Sequence, residues 1–86
     1  MSEAAKSVLV IAQNNKTEAL RMASGLTLLD DEVKVAVLGT LDQSHEVQIQ
    51  LESLDFAEVP ISYLEPTEDA VQLAASIQDA DVVFVV

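Results

Sequence analysis

The strongest constraint on the fold is a fourfold alternation of short aliphatic runs with segments of helical periodicity. Strands are predicted at residues 8–12, 33–38, 59–64 and 81–86, because each run is rich in Val, Ile or Leu and is bounded by turn residues. The order β-α-β-α-β-α-β predicts a small doubly wound α/β domain, flavodoxin-like, with a mainly parallel four-stranded sheet and helices on both faces. Residues 1–86 are interpreted as one domain, and the polar residues 1–6 are expected to be disordered.

The composition of the four runs also predicts their order in the sheet. The first and fourth runs, VLVIA and VVFVV, are apolar on both faces, which is typical of central strands. Pro60 removes a ladder donor from the third run and therefore places it at an edge. We expect the first and fourth strands to lie side by side in the middle of the sheet, with a neighbouring subunit or partner covering what a fourth helix would cover.

The helix boundaries follow from capping residues. Asn15 is the predicted N-cap of a first helix that runs to residue 28 or 29, and Glu18 is placed to reach back to it. Either Asp42 or Ser44 is expected to cap the second helix, which ends near residue 54 and lies on the surface.

The third helix is expected to begin after Pro66, with Thr67 as its N-cap. Its spacing predicts an apolar face that packs on the sheet. That face comprises Ala70, Leu73, Ala74 and Ile77.

The charge distribution excludes several classes of partner. The formal net charge is −11, and all four Lys and Arg side chains lie within the first 34 residues. Nucleic acids and anionic membranes are recognised through clustered cations, so neither is an expected partner. A basic protein partner stays open, and the alternative is an acidic surface that simply keeps the protein soluble.

The absence of cysteine removes a second set of functions. Disulfides, thiolate nucleophiles, persulfide carriage and Cys-ligated zinc or iron–sulfur centres all require a residue that this chain lacks. The polar N-terminus is not a signal peptide, and no apolar run approaches the roughly 20 residues of a membrane span. We therefore expect a cytoplasmic protein without a cofactor.

A further expectation concerns assembly. Half of the residues are hydrophobic, and only three of them are aromatic. A domain of 86 residues has limited volume in which to bury so much apolar surface. Part of that surface is therefore expected to lie between subunits, which predicts a homo-oligomer.

The first half of the chain resembles a known family. An apolar strand is followed by a polar loop with Thr17–Glu18, an ALRMA helix at residues 19–23, and a second strand that ends at Gly39. This arrangement resembles the opening β-α-β unit of the DsrE/DsrF/DsrH (TusBCD-like) sulfur-relay superfamily, and the later ADVV is similar to that family's last strand. The run VLVIAQ is also similar to the N-terminal half of electron-transfer flavoproteins.

The resemblance implies a small cytoplasmic α/β protein that forms dimers, trimers or mixed hexamers. Some members of the superfamily carry sulfur as a persulfide on a loop cysteine. This chain has no cysteine, so no catalytic residue is transferred to it. The resemblance supports the fold and the assembly and argues against sulfur-carrier activity.

One loop is a candidate binding site. Asn14, Asn15, Lys16 and Thr17 follow the first strand and open the first helix. Free amides at a helix N-terminus attract anions, and strand carboxyl ends are the usual binding edge of open α/β sheets. The competing interpretation is an ordinary capped turn with a solvated lysine, and it is favoured because the glycines of a phosphate loop are missing.

Other candidates have simpler explanations. His45 could act as an acid or base beside Asp42 or Glu46, but a lone histidine on a polar helix is more often a surface residue. Glu65, Glu68 and Asp69 could bind a divalent cation, although acids in a first helical turn already favour the helix dipole. Tyr63 and Phe84 lie in strand patterns, which predicts core packing.

Three hypotheses follow, in decreasing order of preference. The first is a non-catalytic, oligomeric DsrE-like assembly or interaction subunit of bacterial sulfur metabolism, in which the sulfur link rests on the resemblance alone. The second is a module that binds a small anion or nucleotide through residues 14–17. The third is an enzyme that uses His45.

Overall fold

The computed structural model describes residues 6–28 and 31–86. The predicted alternation is confirmed, with four strands and three helices in the expected order. The elements are β1 (Ser7–Ala12), α1 (Lys16–Leu26), β2 (Glu32–Leu38), α2 (His45–Phe56), β3 (Ile61–Leu64), α3 (Ala70–Asp79) and β4 (Val82–Val85). Disorder was predicted for residues 1–6, and all of these except Lys6 lie outside the described residues. Residue 29, one of the two predicted ends of the first helix, also lies outside it.

The four strands form one sheet in the order β3-β2-β1-β4, and every pair is parallel. The fold is therefore the predicted doubly wound α/β type, with β3 at an edge and β1 beside β4. The prediction that β4 is central is wrong, because β4 pairs with β1 alone and forms the second edge. An apolar run indicates that both faces of a strand are covered. It does not indicate whether the strand pairs with one neighbouring strand or with two.

The larger core lies between the sheet and helices α1 and α2. Strand side chains of one face meet apolar side chains from both helices, and together they exclude water. Its buried members are Val8, Val10, Ala12, Ala19, Leu20, Ala23, Val33, Val35, Val37, Val47 and Leu54. The narrow stripe of α2 buries only Val47 and Leu54, so this helix lies on the surface, as predicted.

The opposite face of the sheet has a smaller core. Its buried residues are Leu9, Ile11, Ala36 and Leu64. Helix α3 covers this face through Leu73, which is only partly buried, and none of the ten residues of α3 is fully buried. The prediction that this helix buries an apolar face is therefore wrong in degree. The apolar periodicity is present, but one short helix packs on a small core, so much of the helix surface stays exposed.

The caps agree with the sequence for two helices out of three. Asn15 Oδ1 accepts from the Glu18 amide at 3.3 Å, and Ser44 Oγ accepts from the Val47 amide at 3.3 Å. The Glu18 carboxylate does not return to the cap, because it pairs with Arg21 at 3.0 Å instead.

The third helix begins later than predicted. Pro66 and Thr67 lie in a turn before the helix, and the N-cap residue is Asp69. The Asp69 carboxylate accepts from the Glu65 amide at 2.8 Å, and the Asp69 amide donates to the Glu65 carbonyl at 2.8 Å. This reciprocal pair of bonds closes the turn, and α3 can start only where the turn ends.

Two polar contacts join the surfaces of α1 and α2. Arg21 bonds to Glu46 at 2.7 Å, and the hydroxyls of Ser24 and Ser53 are 2.8 Å apart. Because these side chains are exposed, each contact adds little free energy and mainly fixes the orientation of α2. Among the described residues, no helix has both the length and the apolar character needed to cross a membrane.

Candidate functional site

The loops after β1 and β2 form a cleft at the carboxyl end of the sheet, where ligands of open α/β folds usually bind. Its volume is about 590 Å³. All four residues of the predicted binding loop line it, and the loop after β2 supplies the opposite wall. The lining residues are Gln13, Asn14, Asn15, Lys16, Thr17, Thr40, Leu41, Asp42 and Val47.

The backbone donors at the start of this loop are already used. The amides of Gln13 and Asn14 both donate to the carbonyl of Val86, each at 2.9 Å. The side chain of Asn15 is occupied by the Glu18 amide. The loop is thereby fixed to the end of β4, and these two amides are not offered to a ligand.

The only lysine of the cleft is also engaged. Lys16 Nζ donates to the carbonyl of Thr40 at 2.8 Å and so connects the loop after β1 with the loop after β2. Gly39 allows this approach with φ +87°, a backbone conformation that side chains disfavour. In this geometry the Lys16 ammonium group holds the loop after β1 and the loop after β2 together.

A carboxylate lies at the mouth of the same cleft. Hydrogen bonds from the amide and then the hydroxyl of Ser44 hold the pKa of Asp42 below its ordinary value. Asp42 is exposed, and the amide bond measures 3.0 Å. Asp42 and Lys16 line the same cleft with opposite charges, so the lining residues carry no net positive charge to attract an anion.

The remaining candidates from the sequence are dispersed. His45 is the exposed first residue of α2, and within residues 6–28 and 31–86 its ring has no hydrogen-bond partner. Glu65 and Asp69 bond to each other's backbone. In the same ranges, no three His, Cys, Asp or Glu residues are grouped closely enough to hold a metal ion.

Tyr63 and Phe84 do not pack into the core as predicted. Tyr63 is 55% exposed because β3 is an edge strand, and it borders a shallow depression of about 460 Å³ beside the loop after β2. Phe84 is 38% exposed on β4. Alternation assigns a side chain to one face of the sheet, but whether a helix covers that position depends on tertiary packing.

A second exposed region lies on α3 and β4. We call residues 70–78 and 82–86 the α3–β4 surface. It contains no charged side chain, although the chain as a whole has a net charge of −11. Four of its large apolar side chains are exposed: Val71 at 86%, Ile77 at 40%, Phe84 at 38% and Val85 at 59%. Phe84 pairs with Val10 and so lies on the face of the sheet that α1 and α2 cover, whereas Leu73 of α3 packs on the opposite face. The α3–β4 surface therefore spans both sides of the β4 edge.

These features define a small doubly wound α/β domain with a loop cleft at the carboxyl end of its sheet and an exposed apolar surface on α3 and β4. No family model matches the sequence, and no curated protein matches it either. One solved structure with a similar fold is that of the yeast protein ynu0, YNL200c, with a TM-score of 0.61 and 20% sequence identity. The match covers 78% of this chain and 28% of the yeast chain, so the likeness concerns the fold alone.

Proposed function

We propose that this chain is a non-catalytic interaction module that works by forming an oligomer. The observation that carries the proposal is the α3–β4 surface, where Val71 on α3 and Val85 on β4 are exposed apolar side chains in segments that contain no charged side chain. Contiguous exposed apolar surface is typical of protein contact sites. The uncharged, exposed apolar residues of these two segments are therefore best explained by burial against another protein.

The state of the cleft supports the same proposal. Its lysine, two of its backbone amides and one of its three amide side chains bond within the chain, and its carboxylate is exposed. Catalysis needs a reactive group that is free to meet a substrate. In this cleft the hydrogen bonds join β1, β2 and β4 to one another, which stabilises the sheet edge.

The biological setting is proposed from the resemblance alone. A DsrE-like chain without cysteine would act as an assembly or interaction subunit in bacterial sulfur metabolism, in the cytoplasm, beside partners that carry the reactive thiol. The chain itself has no group to hold sulfur covalently.

A native mass spectrum of the purified protein tests the interaction proposal. An oligomer without additional non-protein mass is the expected result. A monomer at all concentrations up to about 100 µM would contradict it, because a contact that weak does not meet the affinity of a stable subunit interface. A retained small molecule would also contradict it and would direct attention to the cleft.

The second candidate function is the binding of a small anion or nucleotide in the cleft. The observation that favours it is that Asn14, Asn15, Lys16 and Thr17 all line one cavity of about 590 Å³. Its test is titration with inorganic phosphate and with a nucleoside monophosphate, followed by NMR. Binding that Lys16→Ala abolishes and Lys34→Ala preserves would support it, since Lys34 is an exposed lysine outside the cleft.

A further inference from the structure

The outer edge of β4 has backbone groups that no described strand satisfies. The amide of Val86 donates to Ile11 of β1 at 3.0 Å, so the polar groups of alternate residues point toward β1. The amides and carbonyls of Val83 and Val85 therefore point away from the sheet. Such a row of free groups is a template for pairing with another strand.

The two edges of the sheet differ in how they are protected. Both edge strands are four residues long, but Pro60 stands directly before β3 and Glu65 directly after it. Proline and charged residues are the usual means of blocking an edge strand. Strand β4 has no proline beside it, and the charged residue directly before it, Asp81, is bonded to the Ser7 amide, while Val85 is exposed at 59%. The unprotected edge is the one suited to pairing.

The charge distribution of the chain indicates which kind of partner pairs with the outer edge of β4. Each copy has a net charge of −11, so two copies repel each other wherever charged surfaces approach. The α3–β4 surface is the exception, because neither residues 70–78 nor residues 82–86 contain a charged side chain. A basic partner would gain nothing from a surface without acids, whereas a second copy would meet no repulsion at the contact itself.

We propose that a second copy of this chain pairs with β4 in antiparallel orientation, joining two four-stranded sheets into one. The proposal rests on the proposed function and specifies its interface. A two-fold axis at Phe84 sets Val83 opposite Val85 of the second copy, so that the outward groups of both residues bond. It also keeps Asp81 beyond the end of the ladder, where Asp81 already accepts from the Ser7 amide at 2.9 Å.

This register makes a sharp prediction about Phe84. The two Phe84 residues would face each other as a non-hydrogen-bonded pair, with Cα atoms about 4.5 Å apart. That separation falls within the range that a disulfide spans. Because the natural chain has no cysteine, a single-cysteine variant reports this contact without background.

The first experiment is oxidative cross-linking of Phe84→Cys. The matched control is Phe56→Cys, since Phe56 is a phenylalanine on the surface at 92% exposure, at the end of α2. We expect most of the Phe84→Cys protein, and little of the control, to form a covalent dimer. Equal cross-linking of the two variants would overturn the register.

The second experiment compares Val85→Pro with Val85→Thr by sedimentation equilibrium. The Val85 amide points outward, so proline removes no bond within the subunit, and threonine retains the amide. Two of the four ladder bonds across the axis are lost in the proline variant, which should weaken the dimer by about tenfold or more. An oligomer that both variants leave unchanged would overturn the β4 interface while leaving the proposed function intact, whereas a monomeric natural chain would overturn both.

The salt dependence separates a second copy from a basic partner. Raising the ionic strength screens the repulsion between two acidic copies, so the dimer should tighten with salt. Dissociation by salt would instead indicate contacts between opposite charges and would overturn the proposal.

Discussion

The end of α2 holds a residue in a costly conformation. Glu58 has φ 62°, which is the left-handed region, and it is the non-glycine residue with positive φ in the described structure. The Glu58 amide bonds to the Asp55 carbonyl, and the Val59 amide bonds to Leu54, each at 3.0 Å. This is the helix C-terminal motif that ordinarily has glycine at this position.

We predict that Glu58→Gly stabilises the protein. Relief of the left-handed conformation is worth about 1–2 kcal/mol. The greater freedom of glycine in the unfolded chain offsets about 0.4–1 kcal/mol of this. The net gain lies between about 0 and 1.6 kcal/mol, and its midpoint of about 0.8 kcal/mol corresponds to a rise in Tm of roughly 3–6 °C for a domain of this size.

Two controls isolate the backbone effect, and the assay is urea unfolding followed by circular dichroism. Glu58→Gln removes the charge, which a helix C-terminus disfavours, but retains the strain. Glu52→Gly makes the same chemical change in the interior of α2 and should destabilise by about 1 kcal/mol. The reasoning is refuted if Glu58→Gly is no more stable than Glu58→Gln.

Three further predictions concern the core and the loops. Leu54→Ala should lower the free energy of unfolding by about 2–5 kcal/mol in the same assay, because Leu54 is fully buried; a loss below 1 kcal/mol would contradict its place in the core. Gly39→Ala should cost about 1–2 kcal/mol through φ alone, since a Cβ atom there would meet only Lys16 Nζ, at 3.4 Å; a neutral result would show that the loop adjusts. Ser44→Ala removes the hydroxyl but keeps the amide bond, which is the larger cause, so it should raise the pKa of Asp42 only part of the way toward its ordinary value, as measured by NMR of the carboxyl carbon. Because folding lowers this pKa, the contribution of Asp42 is present at neutral pH and is lost as the pH falls through the folded value, so the stability difference between wild type and Asp42→Asn should shrink in acid.

The candidate cleft shows which contacts could be predicted from local sequence and which could not. That Asn15 and Ser44 cap helices was predicted correctly, because a cap involves residues only three positions apart. The loop of residues 14–17 was predicted to lie at the carboxyl end of β1, and it does. The bond from Lys16 to Thr40 was not predictable, since it joins two loops that only the parallel pairing of β1 and β2 brings together.

The sequence by itself determined the number, type and order of the elements, because periodicity and capping act over a few residues. It also predicted β3 as an edge, through Pro60, and the adjacency of β1 and β4. Only the tertiary structure decided that β4 is the other edge and that α3 leaves its apolar residues exposed. The physical reason is that a strand's composition reflects the burial of its side chains, whereas its place in the sheet depends on which backbones pair across long separations in sequence. The pairing of β4 with β1 alone also decides that Phe84 and Val85 lie at an edge, on opposite faces of the sheet.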